Sequence, residues 1–314
     1  MPFSGFEYYH MIIDKTGHIA GPLYMLGNPV IPVFLLDGNQ PAVIDAGFYT
    51  LGETYVKALR KILQERQPAY IFLTHSHFDH CGSVAVLKKH FPDMKVMASE
   101  KAQTTLAKPN AIRLIRQLTE ASLKMGRDNG YIQNDKTGFE QFEVDMTVSD
   151  GDELEIDPDM TLQVMDTPGH TRDCLSYYVP QKRILFSSEA TGILDATGYI
   201  VSDCLVDYDM YVRSLKKLGE LDIDILCLGH RYVLTGEDAR NYIPRSMKYC
   251  ELFRETVDTF MHEEKGCIAR VIPRIKHMEY DTKPEPRLPE PAYVINLEAR
   301  IRAVMERKES FISS

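Results

Sequence analysis

The stretch Tyr70-Ile71-Phe72-Leu73-Thr74-His75-Ser76-His77-Phe78-Asp79-His80-Cys81-Gly82 decides how this chain is read. It opens with a short apolar run of the kind that makes a buried strand, and then places three histidines and an aspartate within six residues of a turn. Imidazole nitrogens and carboxylate oxygens are ligands that a borderline metal such as zinc takes, and a loop lets them converge from different directions. The alternation turns His75 and His77 towards one centre and Asp79 and His80 towards another. A polar loop of solvated or hydrogen-bonded histidines would account for any one of these residues alone. The four together point to a metal site.

Working outward, the same device recurs at other strand ends. Thr161-Leu162-Gln163-Val164-Met165-Asp166 alternates as a strand and runs through a Pro-Gly turn into His170. Arg183-Ile184-Leu185-Phe186 leads to Glu189, and Ile225-Leu226-Cys227-Leu228 leads to His230. Five of the ten histidines lie in these places. The others, His10, His18, His90, His262 and His277, have no such context and read as surface or structural residues. Taken singly, His170 or His230 reads as a satisfied structural histidine; as a set able to complete two coordination shells, they favour a metal centre. Asp45, at the end of Ala42-Val43-Ile44 and before a glycine, reads either as a turn former or as a group that orients a metal-binding loop.

The 314 residues suffice for one large domain or a domain with an appendage, and 44% hydrophobic with 26% charged residues is ordinary for a globular protein. A net charge of −9 and a pI near 5.6 argue against nucleic acid as the partner. No run reaches the roughly 18 apolar residues of a membrane helix, and Met1 to His10 does not read as a signal peptide, so a cytoplasmic location and no membrane partner are expected. The six cysteines are scattered without CxxC pairing, which suggests small buried hydrophobes rather than disulfides or a thiolate zinc knot.

Around these strand ends the layout is strand-rich, then helical. Tyr8–Ile13, Leu23–Leu26, Ile31–Leu36 and Ala42–Gly47 read as successive antiparallel strands, with Asp37-Gly38-Asn39 as a hairpin turn. Leu51–Gln67 reads as a helix, as does the segment through Val84, Leu87 and Phe91; strands are expected at Val96–Ala98, Phe142–Val148 and Glu153–Ile156. A helical insertion at about 100–140 carries Leu114, Leu118, Ala121 and Met125 as an apolar stripe, read as core packing rather than a ligand wall. After residue 237 an extension to 314 is helical: Ile243, Met247, Cys250, Phe253, Val257 and Phe260 form one stripe, and Val294, Leu297, Ile301 and Met305 another. Pro284, Pro286, Pro289 and Pro291 between them suggest an extended connector. The helical tail suits a cap, plain core covering or a homodimer surface.

With these residues in place the chain resembles the metallo-β-lactamase superfamily, whose HxHxDH loop matches His75-Ser76-His77-Phe78-Asp79-His80. The resemblance covers roughly residues 20 to 235. It implies an α/β (α+β) fold, the αββα sandwich, as a catalytic domain over 1–237 followed by the 238–314 extension. It also implies two divalent metal ions between the ends of two sheets, zinc foremost, with iron or manganese also suited to the ligands. By matching positions, His75, His77 and His170 would hold the first ion, and Asp79, His80 and His230 the second. Glu189 falls where the family has a bridging aspartate, a departure of one methylene that bears on metal spacing and on occupancy of the second site. No cysteine stands near Glu189 as in zinc β-lactamases that use one, and His77 is not the glutamate of the flavodiiron branch. Hydrolases of small thioesters and esters, of the glyoxalase II kind, remain. The helical layout is also similar to that of quinolone-signal response thioesterases.

The expected activity is therefore a metal-dependent hydrolase that uses a metal-bound hydroxide on a small acyl thioester or ester, with Asp79 as the catalytic carboxylate that orients the water. Two rival readings stand beside it. A mononuclear iron dioxygenase of sulfur compounds would need only His75, His77 and one further ligand. A regulatory protein with a residual metal site would use the stripe from Ile243 to Phe260 for a partner.

Overall fold

A computed structural model describes residues 12–128, 138–284 and 287–308, without the side chains of 125–128. Tyr8 to Met11 of the first expected strand, His10, the Met125 side chain, the 129–137 part of the expected insertion, and Pro286 lie outside the described residues.

Two seven-stranded sheets stack face to face. The N-terminal sheet runs in spatial order Gly17–Ala20, Leu23–Asn28, Ile31–Leu36, Ala42–Ile44, Tyr70–Phe72, Lys95–Ala98, Met146–Thr147. The C-terminal sheet runs Ile12–Ile13, Val233–Thr235, Ile225–Leu228, Ile184–Ser188, Leu175–Val179, Met160–Asp166, Glu153–Asp157. Between them lies a dry core in which Leu23, Met25, Phe34, Ile44 and Phe72 meet Leu162, Val164, Leu175, Tyr177 and Phe186. Ile31–Leu36 is buried at every position because its outward face is covered by helix Gly52–Leu63 as well.

The outer faces are covered by helices, which completes the expected αββα layering. Parallel pairing of Ala42–Ile44 with Tyr70–Phe72, and of Ile184–Ser188 with Ile225–Leu228, requires crossovers, and helices Gly52–Leu63 and Tyr208–Gly219 supply them. Parallel strands joined this way end on the same side of their sheet. That shared rim is where Asp45, the histidine loop, Glu189 and His230 emerge. Among the described residues no helix is long and apolar enough to cross a membrane, and all six cysteines are free, five of them buried.

The C-terminal helices Gly236–Glu263, Ile268–Lys276 and Glu290–Met305 share one core with the outer face of the C-terminal sheet. Ile243, Cys250, Phe253 and Val257 are buried inside the chain itself, so this stripe is core covering.

Several expectations are corrected. Ile12–Ile13 pairs with Val233–Thr235 in the C-terminal sheet and not with the strands that follow it. The expected strand at Phe142–Val148 narrows to Met146–Thr147, because the Asp145 carboxylate, rather than a backbone ladder, takes the Val96 amide at 2.8 Å. Helix Pro109–Asp128 turns the opposite face inward from the one expected: Ile112 and Ile115 are each 5% exposed, against 54% for Leu114 and 40% for Leu118. The sequence carries two apolar stripes there, and buried Thr119 joins the inner one by donating its hydroxyl to the Ile115 carbonyl at 2.8 Å. Pro289 and Pro291 belong to the start of the last helix, where a missing amide costs nothing, so the connector is shorter than the proline spacing suggests.

Candidate metal centre

The N-terminal half of the centre is built around Asp45. Its backbone is left-handed at φ 62°, which an aspartate tolerates better than most residues, and this turns the carboxylate back under the histidine loop. There it accepts the Thr74 amide at 2.8 Å, the Thr74 hydroxyl at 2.9 Å and His80 Nδ1 at 2.8 Å. A carboxylate only accepts, so His80 carries its proton on Nδ1 and directs Nε2 to the centre. The single Thr74 proton is committed to Asp45, which leaves a lone pair for His75 Nδ1 at 3.0 Å. His75 Nε2 is thereby left unprotonated and aimed inward. Of the two sequence readings of Asp45, the orienting one is what the contacts support.

The C-terminal half comes from three separate strand ends. His170 reaches the centre through Gly169, whose φ of 137° and 2.4 Å spacing between a notional Cβ and Tyr211 Cα exclude a side chain. Its Nδ1 donates to the Asp203 backbone carbonyl at 3.0 Å and lies 3.1 Å from the Asp203 carboxylate, so Nε2 again faces inward, 3.2 Å from His77 Nδ1. Glu189 follows strand Ile184–Ser188, and its Oε1 lies 2.8 Å from His80 Nε2 and 2.6 Å from His230 Nε2. Its Oε2 lies 3.9 Å from His75 Nε2. His230 donates Nδ1 to the Val30 carbonyl at 3.2 Å. Asp79 stands to one side, with Oδ2 3.9 Å from both His80 Nε2 and His230 Nε2.

All seven residues singled out in the sequence are therefore brought together. Their candidate ligand atoms form three overlapping sets, each within 4.8 Å: His75, His77 and His170; His75, His80 and Glu189; Asp79, His80 and His230. Glu189 links the sets from the position where the family pattern has aspartate. Gly229 makes room for the longer side chain, since a Cβ there would sit 3.0 Å from the Glu189 carboxyl carbon and Oε1.

The electrostatics divide the rings into two kinds. Burial, followed by the neighbouring imidazoles, pushes His75 down and takes His77 to about 4, which keeps both neutral with a free lone pair at neutral pH. Burial opposes charge on His80 and His230 too, yet the Glu189 carboxylate raises both, aided by Asp45 on His80. Despite its own burial, Glu189 is held well below the usual carboxylate range by His80 and then His230. His170 is lifted against burial to about 9 by Asp203.

Whether a cation fits is answered by His75 Nε2, a buried ring nitrogen with no hydrogen-bond partner. Leaving such an atom unsatisfied costs about 1–3 kcal/mol. A divalent ion shared with His77 and His170 would satisfy it, and the protons held between Glu189 and its two histidines occupy positions that a second ion would replace. The donor set of imidazole and carboxylate suits zinc, iron or manganese alike. Thr74, Asp203 and Gly229, which aim or accommodate the candidate ligands, were not picked out in the sequence. Asp203 and Thr74 carry no local pattern, whereas Gly229 adjoins His230 at a strand end, a place where close backbone approach is a usual reason for glycine.

Residues 27–230 match the sequence profile of the metallo-beta-lactamase superfamily. A beta-lactamase-like protein 2 homolog of Caenorhabditis elegans is 28% identical over 236 residues, which cover 74% of this chain and 66% of that protein. A hydroxyacylglutathione hydrolase of Rhodopseudomonas palustris is 28% identical over 163 residues, 52% of this chain and 48% of that protein. The chain thus spans between about half and two thirds of the length of these curated relatives. Among solved structures, an archaeal superfamily protein from Sulfolobus tokodaii superposes with a TM-score of 0.57 at 18% identity, covering 92% of this chain and all of that one. A family protein from Thermus thermophilus does so with a TM-score of 0.53 at 21% identity, covering 76% and 83%. At these identities the structures speak for the fold.

Proposed function

The chain belongs to the metallo-β-lactamase superfamily, and on that premise we propose that it is a metal-dependent hydrolase whose substrate is a small acyl thioester or ester. The observation that carries the metal dependence is the partnerless, buried His75 Nε2, which belongs to two of the three ligand sets. His75, His77 and His170 would hold one ion, and Asp79, His80 and His230 the other, with Glu189 between them. When bound, a pair of divalent ions lowers the pKa of a water to about 7 and polarises a carbonyl.

The chain's own residues do the rest. Asp79 is the least buried carboxylate of the centre and makes no bond shorter than 3.9 Å to His80 or His230, which leaves it free to orient a water and take its proton. Asp45 and Asp203 keep the imidazoles aimed, so little reorganisation is needed as charge develops. A thiolate leaves as a stable anion near neutral pH and needs little protonation by a group of the centre. The net charge of −9 also supports a small-molecule substrate over a polyanion. The grouping of Asp79, His80 and His230 favours the hydrolase over a mononuclear oxygenase, which would leave that set unused.

The test is a panel of acyl thioesters and oxygen esters, assayed with Asp79→Asn alongside the wild type. Hydrolysis of the panel by the wild type that falls about 100- to 10,000-fold in the variant is the expected result, with metal content measured beside it because Asp79 is also a ligand of the second ion. Oxygen consumption on sulfur substrates, with no hydrolysis of the panel, would contradict the proposal.

A further inference from the structure

The segment from Glu189 to Asp203 has both ends in the metal centre: Glu189 links the ligand sets, and Asp203 aims His170. Between them lies a ribbon, Ile193–Leu194 paired with Ile200–Val201, that belongs to neither main sheet. A two-stranded ribbon of this length has little stability of its own. Tyr211 of helix Tyr208–Gly219 holds the two ends of the segment, donating to the Glu189 carbonyl at 3.3 Å and accepting the Asp203 amide at 3.4 Å, while the ribbon between them is held from beyond residue 230, where the family match ends. Ser246 donates to the Thr191 carbonyl at 2.6 Å and Tyr242 to the Gly192 carbonyl at 3.3 Å, just past Glu189. Arg245 donates to the Gly198 carbonyl at 2.9 Å, and Lys283 reaches Thr197 at 2.8 Å.

A further tie is Tyr199, whose hydroxyl donates to Glu279 at 2.6 Å. Glu279 sits in a π-helical turn, His277–Asp281, a rare geometry that aims a side chain out of the ordinary helical register. It is buried and also accepts from Tyr293 at 3.0 Å and from Arg300 at 2.9 and 3.1 Å. Arg300 is itself buried, with its guanidinium 4.0 Å from the centre of the Phe253 ring. A buried ion pair is a poor source of stability compared with apolar packing, so its presence calls for another reason. Here it fixes the carboxylate to which the ribbon's tyrosine donates.

We propose that the C-terminal helices are a positioning device for the metal centre, acting through the 189–203 segment, with Tyr199, Glu279 and Ser246 as positioning residues. This rests on the metal-centre reading above and gives the helical extension a role in it. Loosening the ribbon displaces Glu189 and Asp203 together, so it weakens metal binding without removing any ligand.

The test titrates metal-free protein with cobalt(II) against a chromophoric chelator and records the visible spectrum, for the wild type, Tyr199→Phe, Ser246→Ala and Tyr293→Phe. Tyr293→Phe removes a hydroxyl from the same carboxylate but leaves the ribbon's Tyr199 bond to Glu279 in place, so it serves as the structural control. Tyr199→Phe and Ser246→Ala are each expected to weaken cobalt binding about 10-fold or more and to shift the spectrum, while Tyr293→Phe binds as the wild type does. Wild-type binding by Tyr199→Phe and Ser246→Ala, or equal weakening in all three variants, would overturn the positioning role alone. A wild-type chain that takes up no cobalt would overturn the metal reading and this inference with it.

Discussion

Four of the seven centre residues sit on one short loop of the N-terminal sheet, whereas the other three come from three separate strand ends of the C-terminal sheet. The local half has a hub: Asp45 accepts from Thr74 and His80, and Thr74 passes the order on to His75, while Asp173 takes the Ser76 amide between His75 and His77 at 2.9 Å. The distributed half has no such hub. Each of its members is placed by a different contact, His170 by Asp203, His230 by the Val30 carbonyl, and Glu189 by the space over Gly229. A loop motif thus carries its own geometry, while scattered ligands depend on what the rest of the fold packs behind them.

That contrast is broken most severely at Gly229. Gly229→Ala places a methyl 3.0 Å from the Glu189 carboxylate in a fully buried site, and metal affinity is expected to fall towards 100-fold, the upper end for residues that support ligands. Adding Glu189→Asp to that variant withdraws the carboxylate by one methylene and should recover much of the loss. Isothermal titration with zinc would show both, and an unchanged affinity in Gly229→Ala would mean that Glu189 is not confined as described. The local half should be disturbed less by losing its hub's charge. Asp45→Asn retains an oxygen for Thr74 but no longer holds His80 through a carboxylate, and about a 10-fold weakening is expected for the ion held by His80. An Asp45→Asn effect larger than that of Gly229→Ala would reverse the comparison.

The same division explains what could be read from the sequence. The histidine loop was legible because strand, turn and ligands are contiguous, and the sandwich followed from the resemblance that loop carries. His170, Glu189 and His230 were found as polar residues ending apolar strands, a weaker signal that gained weight from repetition. For helix Pro109–Asp128 the pattern does not decide the inward face, because Leu114 and Leu118 repeat as regularly as Ile112 and Ile115 and only the tertiary partner decides between them. Arg300 escaped notice for the opposite reason. An arginine between Leu297 and Ile301 reads as a solvated residue unless Glu279, in a π-helical turn, is known to face it. Helix Tyr208–Gly219 does carry a legible signal, since Asp207 caps it through the Met210 amide at 2.8 Å and Tyr208, Tyr211, Leu215 and Leu218 mark its buried face. That one was within reach of the pattern.

The central claim is a two-ion centre, and elemental analysis of metal per chain tests it most directly, on protein purified without chelator and compared with His80→Ala. About two ions per chain are expected in the wild type, falling towards one in the variant as the Asp79, His80 and His230 set loses a member. One ion per chain in both proteins would contradict it, as would no stoichiometric metal in either.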